Sequence, residues 1–189
     1  MADRKTQIID TAADLVQSKS YSSFSYQDLS DALGIRKASI HHHFKTKEDL
    51  GVALAEHFRR QYGTRLEEIS RFYENPWDLF EAYLAVTSDI MLSAERICAG
   101  GVFQSEHNVV PASVQVLITE MMEAIREWLA GVLAMGREGG VMEYPGTPES
   151  HAALIVAALQ GALQNARAET PVLYRAVVGQ LRAGMRTKS

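Results

Sequence analysis

One short stretch of the chain is rich in side chains that can donate hydrogen bonds to an anion. No acid occurs between Asp31 and Glu48, while four Lys or Arg residues do. Local positive charge of this kind suits the phosphates of nucleic acid. The donors are Arg36, Lys37, Ser39, His41, His42, His43, Lys45 and Lys47. The stretch therefore predicts a nucleic-acid contact.

The residues before and within this stretch predict two short helices that would position the donors. Ser25 followed by Asp28 is a helix-start signal, and Gly34 is the residue best able to end a helix in the left-handed conformation. A second helix follows at about 36–44, and Ile40 and Phe44, four residues apart, can anchor one side of it. Nine residues make a rod of roughly 13 Å, which suits a major groove about 12 Å wide. The pattern indicates a helix-turn-helix.

The order of residues from Gly34 to Leu50, GIRKASIHHHFKTKEDL, resembles the TetR family of bacterial transcriptional regulators. The likeness covers about residues 6–50 and departs from the family pattern in two places, where Ala38 replaces a frequent Gly and His41 a frequent Tyr. Lys37, Lys45 and Lys47 are predicted to hold phosphate, and Arg36, Ser39 and His42 to reach base edges. The complete predicted DNA-binding set is Ser25, Tyr26, Arg36, Lys37, Ala38, Ser39, His41, His42, His43, Lys45 and Lys47.

The remainder of the chain predicts an all-α fold of about nine helices, with no strand-like alternation. Residues 1–50 are neutral overall, so the net charge of −4 comes from the rest. We therefore expect a DNA-binding domain over 1–48 and a ligand-binding and dimerisation domain over 49–189. A long helix from about residue 47 to Tyr73 is equally consistent with a lever that transmits ligand binding and with a scaffold. Gly100-Gly101 is expected to interrupt the chain before a short helix over 102–107.

The last two helices are expected to form a dimer surface, because nothing later in the chain could cover both of their faces. Two helices from each protomer would make a four-helix bundle. The alternative is that they only close the core of the monomer. The predicted interface comprises Leu154, Ile155, Ala158, Ala162, Ala166, Leu173, Val177 and Leu181.

Aromatic residues and methionines at helical spacing predict either a ligand pocket or an ordinary core in the C-terminal domain. Pockets for small molecules are mostly apolar with a few polar groups. The TetR resemblance implies a small-molecule inducer bound there. The predicted lining comprises Tyr62, Leu66, Phe80, Tyr83, Met91, Cys98, Phe103, Gln104, His107, Met121, Met122, Trp128, Gln160 and Gln164.

Cys98 is the one cysteine of the chain, which excludes an intramolecular disulfide. A single cysteine is most often a small apolar residue, whereas a sensor thiol must be accessible and activated. The segment from Cys98 to Gly140 loosely resembles an electrophile-responsive branch of the TetR family. The sequence leaves both interpretations open, so the inducer could be thiol-reactive.

Other classes of function find little support. Three successive histidines point about 100° apart on a helix and cannot converge on one ion, so no metal or other cofactor is expected. No nucleotide-binding loop, His-Glu-x-x-His motif or nucleophile elbow occurs. With no apolar signal core and no run of about 18 apolar residues, we expect a cytoplasmic protein. An architectural DNA-binding protein without a ligand, or a helical small-molecule-binding enzyme, remain the alternatives.

Overall fold

In the computed structural model, the described residues are 3–92, 98–168 and 171–185, of which 90–92, 167, 168 and 171 are described by their backbone alone. Within these ranges the chain is helical and holds no β-sheet, which confirms the all-α prediction. The helices are α1 Arg4–Lys19, α2 Tyr26–Leu33, α3 Lys37–His43, α4 Lys47–Phe72, α5 Pro76–Leu92, α6 Ala99–Ser105, α7 Ala112–Glu138, α8 Pro148–Ala168 and α9 Pro171–Gly184. None of these helices is long and apolar enough to cross a membrane.

Local signals set the ends of the two short N-terminal helices as predicted. The Ser25 hydroxyl accepts a hydrogen bond from the backbone N–H of Asp28, while the Asp28 carboxylate accepts one from the N–H of Ser25 at 2.8 Å. This capping box satisfies two backbone donors that the helix cannot satisfy itself. Gly34 ends α2 with a φ of 63°, and Thr46 and Asp49 form a similar reciprocal pair at the start of α4. These contacts fix where α3 begins and ends.

The chain folds into two compact units. The N-terminal unit comprises Met1–Gln61 and Ala99–Met121, and the C-terminal unit comprises Tyr62–Cys98 and Met122–Ser189. This division differs from the expected boundary after residue 48. The difference has a physical cause, because α6 packs against α1 and the first half of α4 contributes core residues such as Leu50, Leu54 and Phe58.

The N-terminal unit has a core in which each of its first three helices buries an apolar face. Ile8, Ala12 and Val16 of α1, Leu29 of α2 and Ile40 of α3 are all fully buried. Tyr21 makes ring contacts with Phe24 at 5.9 Å and with Phe103 at 5.5 Å, and Phe58 lies 6.3 Å from Phe103. Burial of apolar surface stabilises the fold by roughly 25 cal/mol per Å². The packing of these side chains therefore holds α3 in place against α1 and α2.

In the C-terminal unit, a buried hydroxyl contact and a partly exposed ion pair join α5 to α9. The Tyr174 hydroxyl lies 2.6 Å from the Thr87 hydroxyl and 3.1 Å from that of Ser88. The Arg182 guanidinium donates two hydrogen bonds to the Glu81 carboxylate, at 2.7 and 2.6 Å. The α9 helix also packs closely against α8. These contacts hold the last helix in one orientation.

The prediction for α6 was wrong at its start. Gly100 and Gly101 lie inside α6, which begins at Ala99 rather than at residue 102, and both glycines are buried. Glycine weakens a helix by about 1 kcal/mol relative to alanine. Close tertiary packing outweighs that preference here. The expected end of α5 near Ala94 lies outside the described residues.

Two glycines with different backbone conformations should respond oppositely to alanine. Gly34 needs its positive φ, so Gly34→Ala is expected to lower the free energy of unfolding by about 1 kcal/mol. Gly63 is exposed inside α4 and has nothing near its Cα on the side where a methyl would be added. Gly63→Ala should therefore raise the free energy of unfolding by about 0.5–1 kcal/mol. Urea unfolding of both variants measures this difference, and changes of the same sign would contradict it.

Candidate nucleic-acid interface and ligand cavity

The α3 helix presents most of its predicted DNA-binding donors to solvent. Arg36, Lys37, His41, His42 and Lys45 are exposed, and so is Ala38. Ser39 and His43 are half-buried, and the His43 ring lies 5.4 Å from that of His42. The buried anchor Ile40 faces the opposite way. The helix is thus held on one side and free to contact a duplex on the other.

Tyr26 holds the end of α3 in place from α2. Its hydroxyl lies 3.1 Å from the backbone oxygen of Phe44 and donates to that of Thr46 at 2.6 Å. Its ring lies 4.7 Å from the ring of His41, whose Nδ1 is 3.3 Å from the backbone oxygen of Lys45. Burial, followed by the negative charge of Asp49, raises the pKa of Tyr26 to about 12. Tyr26 therefore remains a neutral hydrogen-bond donor at physiological pH.

The Lys47 ammonium is turned toward the interior of the N-terminal unit. Its Nζ donates to the backbone oxygens of Ser22 and Phe24, at 3.1 and 2.7 Å, and lies 4.6 Å from the centre of the Phe24 ring. Burial lowers the pKa of this amine, against the opposing influence of Glu106. Lys47 was predicted to hold phosphate. Its observed partners give it a bracing role, because two of its three N–H donors are already used.

The described residues contain no group of three His, Cys, Asp or Glu side chains that could hold a metal ion. The histidines of α3 lie on successive faces of the helix, as expected from helix geometry.

A small apolar cavity of about 40 Å³ lies within the C-terminal unit. A space of about 10–15 Å³ is enough for one water molecule, so the cavity holds more than a single water but less than a drug-sized ligand. A larger ligand would have to displace side chains. Its lining comprises Tyr62, Arg65, Leu66, Tyr83, Val86, Thr87, Cys98, Met122, Ile125, Val156, Leu159, Gln160 and Leu163.

Six of the predicted pocket residues line this cavity, namely Tyr62, Leu66, Tyr83, Cys98, Met122 and Gln160. Seven others do not, namely Phe80, Phe103, Gln104, His107, Met121, Trp128 and Gln164. Four of these (Phe103, Gln104, His107 and Met121) belong to the N-terminal unit, whereas Gln164 is exposed. The Trp128 indole donates to the Ser70 hydroxyl at 2.8 Å, and the side chain of Met91 lies outside the described residues.

The α8 helix contributes an apolar wall to the cavity that was not predicted from the sequence. Val156, Leu159 and Leu163 recur at a spacing of three and four residues, which places them on one helix face. That spacing was visible in the sequence. The apolar residues predicted on α8 were instead all assigned to the dimer surface.

Cys98 lies at the wall of the cavity beside two tyrosines. Its Sγ is 3.7 Å from the Tyr62 hydroxyl, and the thiol itself is half-buried. Tyr83 is 7% exposed, and burial, followed by the influence of Cys98, raises the pKa of its phenol well above the usual range. The Tyr83 ring lies 5.9 Å from the ring of Trp128. The cavity thus combines an apolar wall, a thiol and a hydroxyl that could pair with a ligand.

The exposed apolar face of α8 and α9 is rotated from the predicted stripe. Leu154 and Leu173 are exposed, at 57% and 37%, but Ile155 and Ala162 are buried inside the unit. The predicted interface is corrected at Ile155 and Ala162. They lie on the inner face of α8, the face that also lines the cavity, and a helix turns only one face outward. Ala158, Ala166, Val177 and Leu181 are half-buried. The exposed face comprises Leu154, Ala157 and Gly161 on α8 and Val172, Leu173, Ala176 and Gly179 on α9.

Comparison with known proteins connects this architecture to a family. A model described as "Bacterial regulatory proteins, tetR family" matches residues 8–54. The transcriptional repressor NemR of Escherichia coli is 25% identical over 85% of this chain and 82% of its own. KstR2 of Rhodococcus jostii, also a transcriptional repressor, is 28% identical over 72% of this chain and 67% of its own. The crystal structure of a TetR-family regulator from Agrobacterium tumefaciens superposes with a TM-score of 0.92, at 28% identity and 97% coverage of both chains.

The fold, the exposed donor helix and these matches together define a helix-turn-helix DNA-binding transcriptional regulator, a class of protein that is not enzymatic. Residues 8–54 are those of the TetR family of bacterial regulators, and the fold of the whole chain is similar to that of a TetR-family regulator. The two departures of this chain from the family pattern, Ala38 and His41, both lie on the exposed donor helix.

Proposed function

We propose that this protein is a homodimeric transcriptional repressor that binds a palindromic operator through α3. The observation that carries the proposal is a helix fixed from beneath by Ile40 while Arg36, Lys37 and Lys45 extend from its exposed side. Lys37 and Lys45 hold phosphate, and Arg36, Ser39 and His42 reach base edges, with His41 and His43 beside them. The curated relatives NemR and KstR2 are repressors, which supports the direction of regulation.

The dimer forms through the exposed apolar face of α8 and α9. Small residues such as Ala157, Gly161 and Gly179 permit close approach of helix axes, and Leu154 and Val172 supply apolar area. A two-fold pair would place one α3 helix in each of two successive major grooves, about one helical turn apart. In this arrangement residues 1–48 read the DNA, and residues 49–189 bind the ligand and the second protomer.

A small, largely apolar molecule in the cavity of the C-terminal unit releases the repressor. The cavity offers the Tyr83 phenol among mostly apolar lining residues. The α4 helix carries the cavity residues Tyr62 and Leu66 and continues into the N-terminal unit, so it is the candidate lever. To shift the protein from mostly DNA-bound to mostly free, the inducer must bind the released form about 10⁴-fold more tightly than the DNA-bound form, a difference of roughly 5.5 kcal/mol.

Selection of genomic DNA by the purified protein tests the repressor proposal. Sequencing the retained fragments should recover one enriched site with two-fold symmetry. The affinity for that site should fall steeply with salt, because phosphate contacts release counterions. Recovery of unrelated fragments with equal affinity would contradict sequence-specific repression.

The cavity also favours a more specific class of inducer, one that reacts with a thiol. Cys98 lines the cavity and is half-buried rather than sealed in the core, so a small electrophile held there could add to its sulfur. Alkylation of the thiol would release the operator. The wild type should therefore lose DNA binding on treatment with a small thiol-specific alkylating agent, while Cys98→Ser should keep it. Equal loss in both proteins would end the electrophile proposal without affecting the repressor proposal.

A further inference from the structure

Glu106, just beyond the end of α6, binds the connection between α1 and α2. Its carboxylate accepts hydrogen bonds from the backbone N–H of Tyr21 at 2.7 Å and of Ser22 at 3.1 Å. It also accepts from the hydroxyls of Ser20, at 3.1 Å, and Ser22. Ser20 has a φ of 79°, a conformation that residues other than glycine rarely adopt. One carboxylate thus holds three successive residues of a strained connection.

Ser22 joins this carboxylate to the start of α4. While its N–H donates to Glu106, its backbone oxygen accepts from the Lys47 ammonium at 3.1 Å. Lys47 also donates to the oxygen of Phe24, the residue before the Ser25 cap of α2. The same few residues therefore connect the end of α6, the start of α2 and the start of α4.

Glu106 and Lys47 carry opposite charges at the two ends of this network. Burial tends to raise the pKa of Glu106, but the hydrogen bonds from Ser22, Ser20 and Tyr21 outweigh it and leave the pKa lowered. Burial lowers the pKa of Lys47, and the negative charge of Glu106 acts in the opposite direction and raises it. Glu106 is therefore ionised at neutral pH, and hydrogen bonds to a charged group are stronger than those between neutral groups.

We propose that Glu106 is a positioning residue for operator recognition, setting the orientation of α3 by fixing the two elements that flank it. The α3 helix lies between α2 and α4 in the chain. The α4 helix begins at Lys47, which the network holds, and α2 begins two residues after Phe24, whose backbone oxygen accepts from Lys47. Glu106 follows α6, outside the helix-turn-helix, and its carboxylate accepts hydrogen bonds from Ser20, Tyr21 and Ser22. The inference rests on the proposed repressor function and assigns a determinant of specificity to a residue of the N-terminal unit that follows α6.

A residue that only stabilises the fold would reduce every kind of DNA binding by the same factor. A positioning residue acts differently, because contacts with phosphate tolerate a small displacement of α3 better than contacts with base edges. The decisive readout is therefore the ratio of affinities for the operator and for random duplex DNA.

The test compares Glu106→Gln with the wild type and with a control, Glu120→Gln. Glu120 is a half-exposed carboxylate in the same unit, and it pairs with Arg59 at 3.2 Å. Glutamine preserves the shape of Glu106 but removes its charge and turns one acceptor into a donor that faces donors. We expect Glu106→Gln to lose about tenfold in operator affinity with its affinity for random duplex unchanged, and Glu120→Gln to match the wild type. Ser22→Ala, which removes one of the donors, should show a smaller loss in the same direction.

Two results would overturn this inference alone while the wild type still recognises its operator. One is that Glu106→Gln binds the operator as the wild type does. The other is that Glu106→Gln and Ser22→Ala lose affinity for both DNAs in proportion to a smaller folded fraction. A wild type without any preferred DNA site would instead overturn the proposed function, and the inference with it.

Discussion

Gly161→Glu is expected to convert the dimer into a monomer and to weaken operator binding by about 10²- to 10⁴-fold, the range that loss of a second linked contact produces. Gly161 lies on the exposed face of α8, and nothing lies within 4 Å of where its Cβ would be. The substitution therefore fits the isolated protomer. In the dimer it would place two carboxylates against an apolar surface, and burying an unpaired charge is costly.

Gly131→Glu provides the matched control for this change. Gly131 is likewise an exposed helical glycine with open space around it, but it lies on α7. Light scattering coupled to gel filtration gives the oligomeric state of each variant, and fluorescence anisotropy gives its operator affinity. If Gly161→Glu remained a dimer, the assigned face of α8 and α9 would be wrong. If it became a monomer with unchanged operator affinity, the dimeric mode of binding would be wrong.

Replacing Lys37 and Lys45 together with alanine is expected to weaken operator binding by about 10- to 100-fold near physiological salt, with little change in folding. Both side chains are exposed at opposite ends of α3. If each neutralises one phosphate in each protomer, the slope of log affinity against log salt should fall by about one for each contact removed. The loss should be similar for the operator and for random duplex, since phosphates carry no sequence information.

Arg60→Ala serves as the control for charge alone. Arg60 is an exposed base of α4 that pairs with Glu56 at 3.7 Å, away from α3. Removing it lowers the net charge of the protein without removing a predicted phosphate contact. A salt slope that fell as much for Arg60→Ala as for one of the α3 lysines would show that binding depends on overall charge rather than on α3.

Much of the helix-turn-helix could be predicted because its signals are local. The Ser25 capping box and the left-handed Gly34 act over three or four residues, so the sequence contains them completely. The same is true of Thr46 at the start of α4. The exposed donors around α3 also follow from the positions of two apolar anchors, Ile40 and Phe44.

The features that could not be predicted depend on distant contacts. From the sequence, Lys47 was predicted to be available to phosphate. Its ammonium instead donates to backbone oxygens more than twenty residues earlier in the chain. The role of Glu106 likewise requires knowing that α6 returns to the connection after α1. The pair Gly100-Gly101 predicts a helix break from local preference alone. Both residues are nevertheless buried inside α6, which only their tertiary packing explains.

The cavity was predicted only in part for a related reason. Aromatic residues and methionines show which helices are apolar, but not which faces meet at a cavity. For example, Phe80 and Met121 were predicted to line the pocket but are core residues. Thr87 and the α8 wall, which were not predicted, line the cavity. The predicted dimer stripe included Ile155 and Ala162, which are buried, because apolar character alone does not distinguish an inner from an outer helix face.

A hydroxyl-radical footprint on the selected DNA site tests the central claim most directly, namely that two α3 helices read successive major grooves. The account predicts two symmetric protected regions with centres about 10–10.5 base pairs apart, both lost in Gly161→Glu at concentrations where the wild type gives full protection. A single protected region, or protection unchanged by that substitution, would contradict it.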